Sequence, residues 1–193
     1  MRFLTILLAA CVVGHAGCDR ASEPEVIASE PEVIASEAEL VAAEPVSGWP
    51  GTKKVSRVGR IFFAGQPSEA ALRQAAGEGV GLVINSRTTR EMARVPFDEP
   101  ALVAELGMRY VAIPVAPSTF SPADVDRFAE ALATTEGPVL SHCATANRSG
   151  GLWAAYLVRT HGLPWETALE LGRAAGLDRR SMIEAARRVA AGP

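Results

Sequence analysis

The chain has 193 residues, with 22 acidic and 19 basic side chains, a net charge of −3 and 48% hydrophobic residues. That length suits one ordinary domain with extensions. The weak net charge argues against a nucleic-acid binder, and only three cysteines argue against a disulfide-built scaffold.

The N-terminus reads as an export signal. Arg2 precedes an apolar stretch at 3–13 that is too short for an ordinary membrane span. Ala16, Gly17 and Cys18 then resemble a bacterial lipoprotein cleavage site, so residues 1–18 are expected to be a signal peptide of lipoprotein type. His15 stands where leucine is usual. Leu8, Ala9, Ala10 and Cys11 fit the letters better but leave too little apolar sequence ahead of them. The expected location is the bacterial periplasm, free or as a membrane-anchored lipoprotein. Contact with a membrane is expected only through the signal or a lipid anchor.

Residues 19–47 contain ASEPEVI twice and then ASEAELV. The period is seven, but proline recurs at 24, 31 and 45, and residues 21–52 carry seven glutamates with no lysine or arginine. Proline breaks helix and the glutamates repel one another. This stretch is expected to be a disordered acidic linker, with an interaction tail as the alternative.

A domain is expected over 48–193. Residues 53–193 hold 17 basic and 14 acidic side chains, so this part is mildly basic and suits a small anionic ligand. A strand is predicted at 58–63, then a helix at 68–76 capped by Ser68. A glycine-bounded buried strand follows at 79–85, a helix at 100–106 and a strand at 108–115. Ser121, Pro122 and Asp124 resemble a capping box with proline in the first turn, opening a helix that buries Val125, Phe128, Ala129 and Leu132. The last strand is predicted at 137–142, and helices at about 150–160, 164–174 and 180–191. Strands alternating with helices predict an α/β fold: a mostly parallel sheet of about four strands flanked by helices, with a helical C-terminal part.

The chemistry concentrates in VLSHCATANRSG at 139–150. Cys143 ends a strand, Arg148 opens a helix, and four residues lie between them. The helix start and the loop N–H groups favour negative charge, and such surroundings favour a thiolate. Arg148 carries a planar fork that can grip phosphate or sulfate oxygens at two points. Cys143 is the expected nucleophile, and it is the sole cysteine outside the signal region. The backbone of Ala144, Thr145, Ala146, Asn147 and Arg148 is expected to complete an anion cradle. A buried strand-end cysteine and a surface arginine are the bland alternatives.

These residues resemble the signature of the protein-tyrosine and dual-specificity phosphatase superfamily. Within it, the chain is most similar to the bacterial beta-lactamase-hydrolase-like phosphatase family. Similar stretches run from FFAGQPS at 62–68 through GVGLVINSR at 79–87 and MRYVAIPV at 108–115 to HCATANRSG. The common superfamily signature has one residue more between cysteine and arginine, and a glycine where Ala146 stands. The resemblance implies a protein-tyrosine-phosphatase-like fold and hydrolysis of phosphate monoesters through a phosphocysteine. It implies a small anionic or phosphoprotein substrate, with no cofactor or metal. It also implies that Ser149 donates to the Cys143 sulfur; a helix N-cap is the alternative for Ser149. His142 can polarise the loop or be a packed, hydrogen-bonded histidine.

The loop after 113–115 reads Ala116, Pro117, Ser118, Thr119, without the aspartate that phosphatases of this type place there. Asp124 reads as a cap and Asp126 as a solvated helix face. Glu91, Asp98 and Glu99 reach the site only if their loop folds over it. Arg87 and Arg90 can widen a positive rim, or pair with Glu91 or Asp98. Two other functions stay open: a rhodanese-like thiol sulfurtransferase using Cys143 through a persulfide, and a degenerate anion-binding module.

The export reading has a direct test. A Cys18→Ser variant should be translocated yet lose membrane association on cell fractionation. Wild-type protein found soluble in the periplasm, cut after another residue, would remove the lipid anchor and leave export standing.

Overall fold

The computed structural model describes residues 43–192. The expected signal peptide and most of the expected linker lie outside the described residues. Six strands form one sheet: β1 (Glu44–Pro45), β2 (Ser56–Val58), β3 (Ile61–Ala64), β4 (Leu82–Asn85), β5 (Arg109–Ala112) and β6 (Val139–His142). Their spatial order is β1-β2-β3-β6-β4-β5. β3, β6, β4 and β5 run parallel, and β2 and β1 add an antiparallel edge. The expected parallel sheet of about four strands is therefore present, widened by a hairpin.

The central strands are apolar on both faces, as strands covered on two sides must be. Ile61, Phe63, Leu82, Ile84 and Val139 face one hydrophobic layer. Phe62, Ala64, Val83 and Leu140 face the other. The first layer is covered by α4 (Pro122–Ala133), α5 (Asn147–His161), α6 (Trp165–Ala174) and α7 (Arg180–Ala190). The second is covered by α1 (Glu69–Gly77) and α3 (Glu99–Glu105). A short α2 (Thr89–Met92) follows β4. No helix among the described residues is long and apolar enough to cross a membrane.

Several expected boundaries move, for local reasons. The single strand expected at 58–63 is a hairpin, because Gly59 turns the chain at φ +54 and Val58 pairs with Ile61. The sheet also begins before the expected domain start near Gly48: Glu44 pairs with Arg57, and Val46 N donates to Val55 O. The strand expected at 108–115 is regular only to Ala112; Ile113 N still donates to Asn85 O, but Val115 N then reaches Ser86 O, one residue short of the parallel register. Ser121 and Asp124 do form the expected capping box. α5 starts at Asn147, earlier than predicted, so its first turn abuts the cysteine loop.

The helical C-terminal part packs closely at glycines. A Cβ on Gly150 in α5 would sit 2.6 Å from Leu177 N and 2.7 Å from the Gly172 carbonyl oxygen. Backbone atoms cannot step aside as a flexible side chain can. Alanine is the better helix former by about 1 kcal/mol, so helix propensity and packing pull in opposite directions at this position. Gly150→Ala should lose about 1 kcal/mol net in urea denaturation, since overpacking typically costs ~1–3 kcal/mol before the propensity gain is counted. An unchanged or higher midpoint would show that the α5–α6 contact is loose.

Candidate active site

The cysteine loop grows out of the centre of the sheet. β6 is flanked by β3 and β4, and its carboxyl end delivers His142 and Cys143. Open α/β sheets place ligands at such strand ends. Cys143 N continues the ladder to Ala64 O at 3.3 Å, and Gln66 N donates to Ala144 O at 3.3 Å. Thr145 forms a bridge with Gly65. The chain then reverses at Ala146, in the left-handed region at φ +66, and enters α5. Asn147 fixes the far side, because its Oδ1 accepts from Asp178 N at 3.0 Å and Arg179 N at 2.9 Å. Cys143, Ala146 and Asn147 are buried, Ala144 is exposed, and Thr145 is half-buried.

Arg148 is held by Glu91. Its Nη1 donates to Glu91 Oε2 and its Nη2 to Glu91 Oε1, each at 2.7 Å. Nη1 also donates to the Val115 carbonyl at 3.1 Å. A guanidinium has five N–H groups. These contacts take three and leave Nε–H with one Nη2–H, which together form the side-on fork suited to two oxygens of an anion. Burial works against the Arg148 charge. The Glu91 hydrogen bond and the neighbouring Cys143 sulfur outweigh it, and its pKa rises above the ordinary arginine value. Glu91 is pulled down to about 2, chiefly by its hydrogen bond with Arg148 and also by Thr88.

Thr88 and Glu91 form a reciprocal capping box that starts α2. That box orients the carboxylate before Arg148 arrives. The sequence carried this signal as a T-x-x-E spacing, but not that Glu91 would meet a residue 57 positions away. Glu91 therefore belongs to the site as a positioning residue.

A second chain of contacts braces the loop from below. His142 and Glu99 are both fully buried, with His142 Nε2 2.9 Å from Glu99 Oε1. Gln66 Nε2 donates to Glu99 Oε2, and Arg87 Nη1 donates to Gln66 Oε1. Arg87 Nη2 reaches the Glu91 carbonyl at 3.1 Å. Burial opposes the Glu99 charge. Hydrogen bonds from His142, Gln66 and Tyr110 overcome it, so its pKa lies below the usual carboxylate value. Of the two readings of His142, its contacts match the packed, hydrogen-bonded one. Arg87 uses its terminal nitrogens as a brace between Gln66 and α2, paired with neither Glu91's carboxylate nor Asp98. Arg90 is exposed.

Ser149 is the third residue of α5, so it is not the N-cap; Ala146 holds that place. The Ser149 hydroxyl is buried with no hydrogen-bond partner among the described residues. No acid stands in the loop at 116–119. Asp124 Oδ2 accepts from Ser121 N at 3.0 Å and from Ser121 Oγ at 2.9 Å, and the exposed Asp126 lies 3.7 Å from Arg159. Both candidate acids are thus engaged as caps or surface groups. Among the described residues, no group of three or more His, Cys, Asp or Glu side chains is placed to hold a metal ion.

Glu91→Gln keeps the size but loses the charge that fixes Arg148. The variant should lose about tenfold or more in kcat/KM toward an aryl phosphate, as small misplacements of positioning groups do. The pair also links stability to pH. The folded pKa of Glu91 is lowered from 4.5 to about 2, so its contribution is complete above about 4.5 and is lost as pH falls through about 2. The wild-type advantage over Glu91→Gln in urea midpoint should shrink across that interval. A gap that stays constant from pH 5 to pH 2 would show that the pair adds no stability.

Residues 59–158 match the family described as beta-lactamase hydrolase-like protein, phosphatase-like domain. The beta-lactamase hydrolase-like protein of Xylella fastidiosa is 32% identical over 121 residues, which cover 62% of this chain and 28% of that protein. The match therefore spans under a third of the relative's length. Among solved structures, P. aeruginosa TpbA in complex with pTyr superposes with a TM-score of 0.60 at 21% identity, covering 78% of this chain and 88% of that one. PTPMT1 in complex with PI(5)P superposes with a TM-score of 0.56 at 18% identity, covering 68% of this chain and 90% of that one. At these identities the structural likeness establishes a shared fold. The family match covers more than half of the chain and includes the loop that carries Cys143 and Arg148, so the chain belongs to the phosphatase-like domain family of beta-lactamase hydrolase-like proteins.

Proposed function

We propose that this protein is a cysteine-dependent phosphatase that hydrolyses phosphate monoesters through a phosphocysteine. The observation that carries this reading is the side-on fork of Arg148, left open by Glu91 at the foot of the same loop that carries Cys143. Two phosphoryl oxygens would take that fork, and the N–H groups at the start of α5 would take the remaining charge. The Cys143 thiolate attacks phosphorus, and the bond from phosphorus to the ester oxygen breaks. The leaving oxygen carries the electron pair away and gains its proton from solvent. Water then attacks phosphorus, breaks the S–P bond, releases inorganic phosphate and restores the thiolate.

The substrate is an anionic phosphate ester, either a small molecule or a phosphoprotein side chain. The folds that share this architecture include one bound to phosphotyrosine and one bound to a phosphoinositide. The engaged carboxylates at Asp124 and Asp126 favour leaving groups that need no proton donor. A missing general acid typically loses ~10²–10⁴ in rate, and an alkoxide suffers more than a phenolate. That same feature favours one second reading, sulfur transfer through a Cys143 persulfide, which requires no acid. Export, with a lipid on Cys18, would place this chemistry outside the cytosol.

Cys143→Ser should abolish turnover while retaining anion binding. Arg148→Lys should lose about 10²–10³ in kcat/KM, because a point charge cannot replace a planar fork. Aryl phosphates should be turned over much faster than alkyl phosphates. Equal rates on both would mean that a proton donor other than the engaged Glu91, Asp124 and Asp126 reaches the leaving oxygen. A thiosulfate-dependent persulfide on Cys143, seen by mass spectrometry without activity on any phosphate ester, would replace the phosphatase reading with sulfur transfer.

A further inference from the structure

The hairpin edge of the sheet and the α6–α7 turn meet beside the cysteine loop. β2 runs antiparallel to β3, so its first residue, Ser56, lies at the same end of the sheet as Cys143. Pro45, paired with Ser56, ends β1 at that same edge. From the other side α6 ends at Ala174, and the chain turns through Gly176 and Asp178. That turn touches the loop directly: a Cβ on Gly176 would lie 2.5 Å from the Ala146 Cβ, and Asp178 N donates to Asn147.

Between these two walls is a cavity of about 340 Å³, lined by Lys54, Val55, Ser56, Arg173, Gly176 and Asp178 among others. Its charge is unbalanced. Asp178 is the one carboxylate in the lining and is answered by Lys54 at 2.5 Å. Arg173 has no carboxylate partner among the described residues and is exposed. Lys54 holds a left-handed backbone at φ +54, a conformation that favours glycine. Strain of this kind persists where surroundings fix it, and it gathers at ligand sites. A concave surface with surplus positive charge concentrates anions.

The spacing to the cysteine follows from the sheet. β2 and β6 are separated by β3 alone, so two strand spacings, roughly 10 Å, lie between them. We propose that this cavity is a second anion subsite, taking a further phosphate or carboxylate of a substrate whose scissile phosphate sits on Cys143 and Arg148. The inference rests on the phosphatase reading for its substrate class: a phosphate ester with a second anionic group about one short linker away. Arg173 supplies the free charge, the Ser56 hydroxyl supplies a neutral donor, and the Lys54–Asp178 pair shapes the wall.

Site-resolved NMR on the full chain, titrated with inorganic phosphate, separates the two anion sites. The amides of 144–148 should shift as one set and those of Ser56, Gly176 and Asp178 as another, with its own midpoint. Arg173→Ala should weaken the second set about tenfold and leave the first unchanged. A response confined to 144–148, or a second set indifferent to Arg173→Ala, would overturn the subsite. A response confined to the cavity would uphold the subsite and remove the phosphatase reading beneath it. Kinetics then test the joint use of both sites. An aryl bisphosphate should show a KM about tenfold below that of phenyl phosphate. Arg173→Ala should erase that advantage without changing kcat or KM for phenyl phosphate. Equal KM values for the two substrates in the wild type would refute the bridging substrate.

Discussion

The paired grip of Glu91 on Arg148 is the interaction from which the site takes its shape. A guanidinium beside a cysteine sulfur could swing among many positions. Glu91 removes that freedom by closing two hydrogen bonds at 2.7 Å on the end of the fork. The choice of face matters more than the charge. An arginine held end-on still offers its side-on face, so the same residue is neutralised by its own protein and yet ready for an anion. Preorganisation of this kind lets charge stabilisation act without reorganisation at the moment of reaction.

Glu91 can do this because it is itself fixed. Its carboxylate closes the cap of α2 on Thr88, and Arg87 ties the carbonyl of the same residue to Gln66. From Gln66 the contacts run to Glu99 and then to His142, the neighbour of Cys143. The cysteine loop is thereby braced from two directions, by one chain of polar contacts through α2 and α3 and by Asn147 against the start of α7. A network of buried charges repays its desolvation only when every member is answered. Here the orphans are single atoms at its margins, His142 Nδ1 and Arg87 Nε.

What the sequence showed and what it hid follow from distance along the chain. Cys143 and Arg148 lie on one strand–loop–helix unit, so the identity of each neighbour already implied their geometry. The capping box at Ser121 was legible for the same reason. Glu91 was not, because its partner is contributed by a different crossover, and a local motif says nothing of what faces it. The hairpin at Gly59 was read as one strand because both arms are apolar where they are buried, and a two-residue turn hardly interrupts the pattern. β1 gave no signal: two exposed residues, glutamate and proline, have no period to detect. Ser149 suits a cap only for a helix that opens at residue 150, and the left-handed turn at Ala146, which has no sequence signature, opens α5 at Asn147.

That turn has a consequence for how this loop can change. Ala146 carries a methyl group where the backbone favours glycine, and the methyl points at Gly176, which has a left-handed backbone of its own at φ +105. The two positions share one small volume. With alanine at 146, nothing larger than a hydrogen fits at 176. With glycine at 146, the volume opens but the loop gains unfolded-state freedom that alanine denies it. Glycine at 146 therefore removes only one of two obstacles at 176: the methyl is gone, but the backbone at φ +105 still strains any side chain in the turn between α6 and α7.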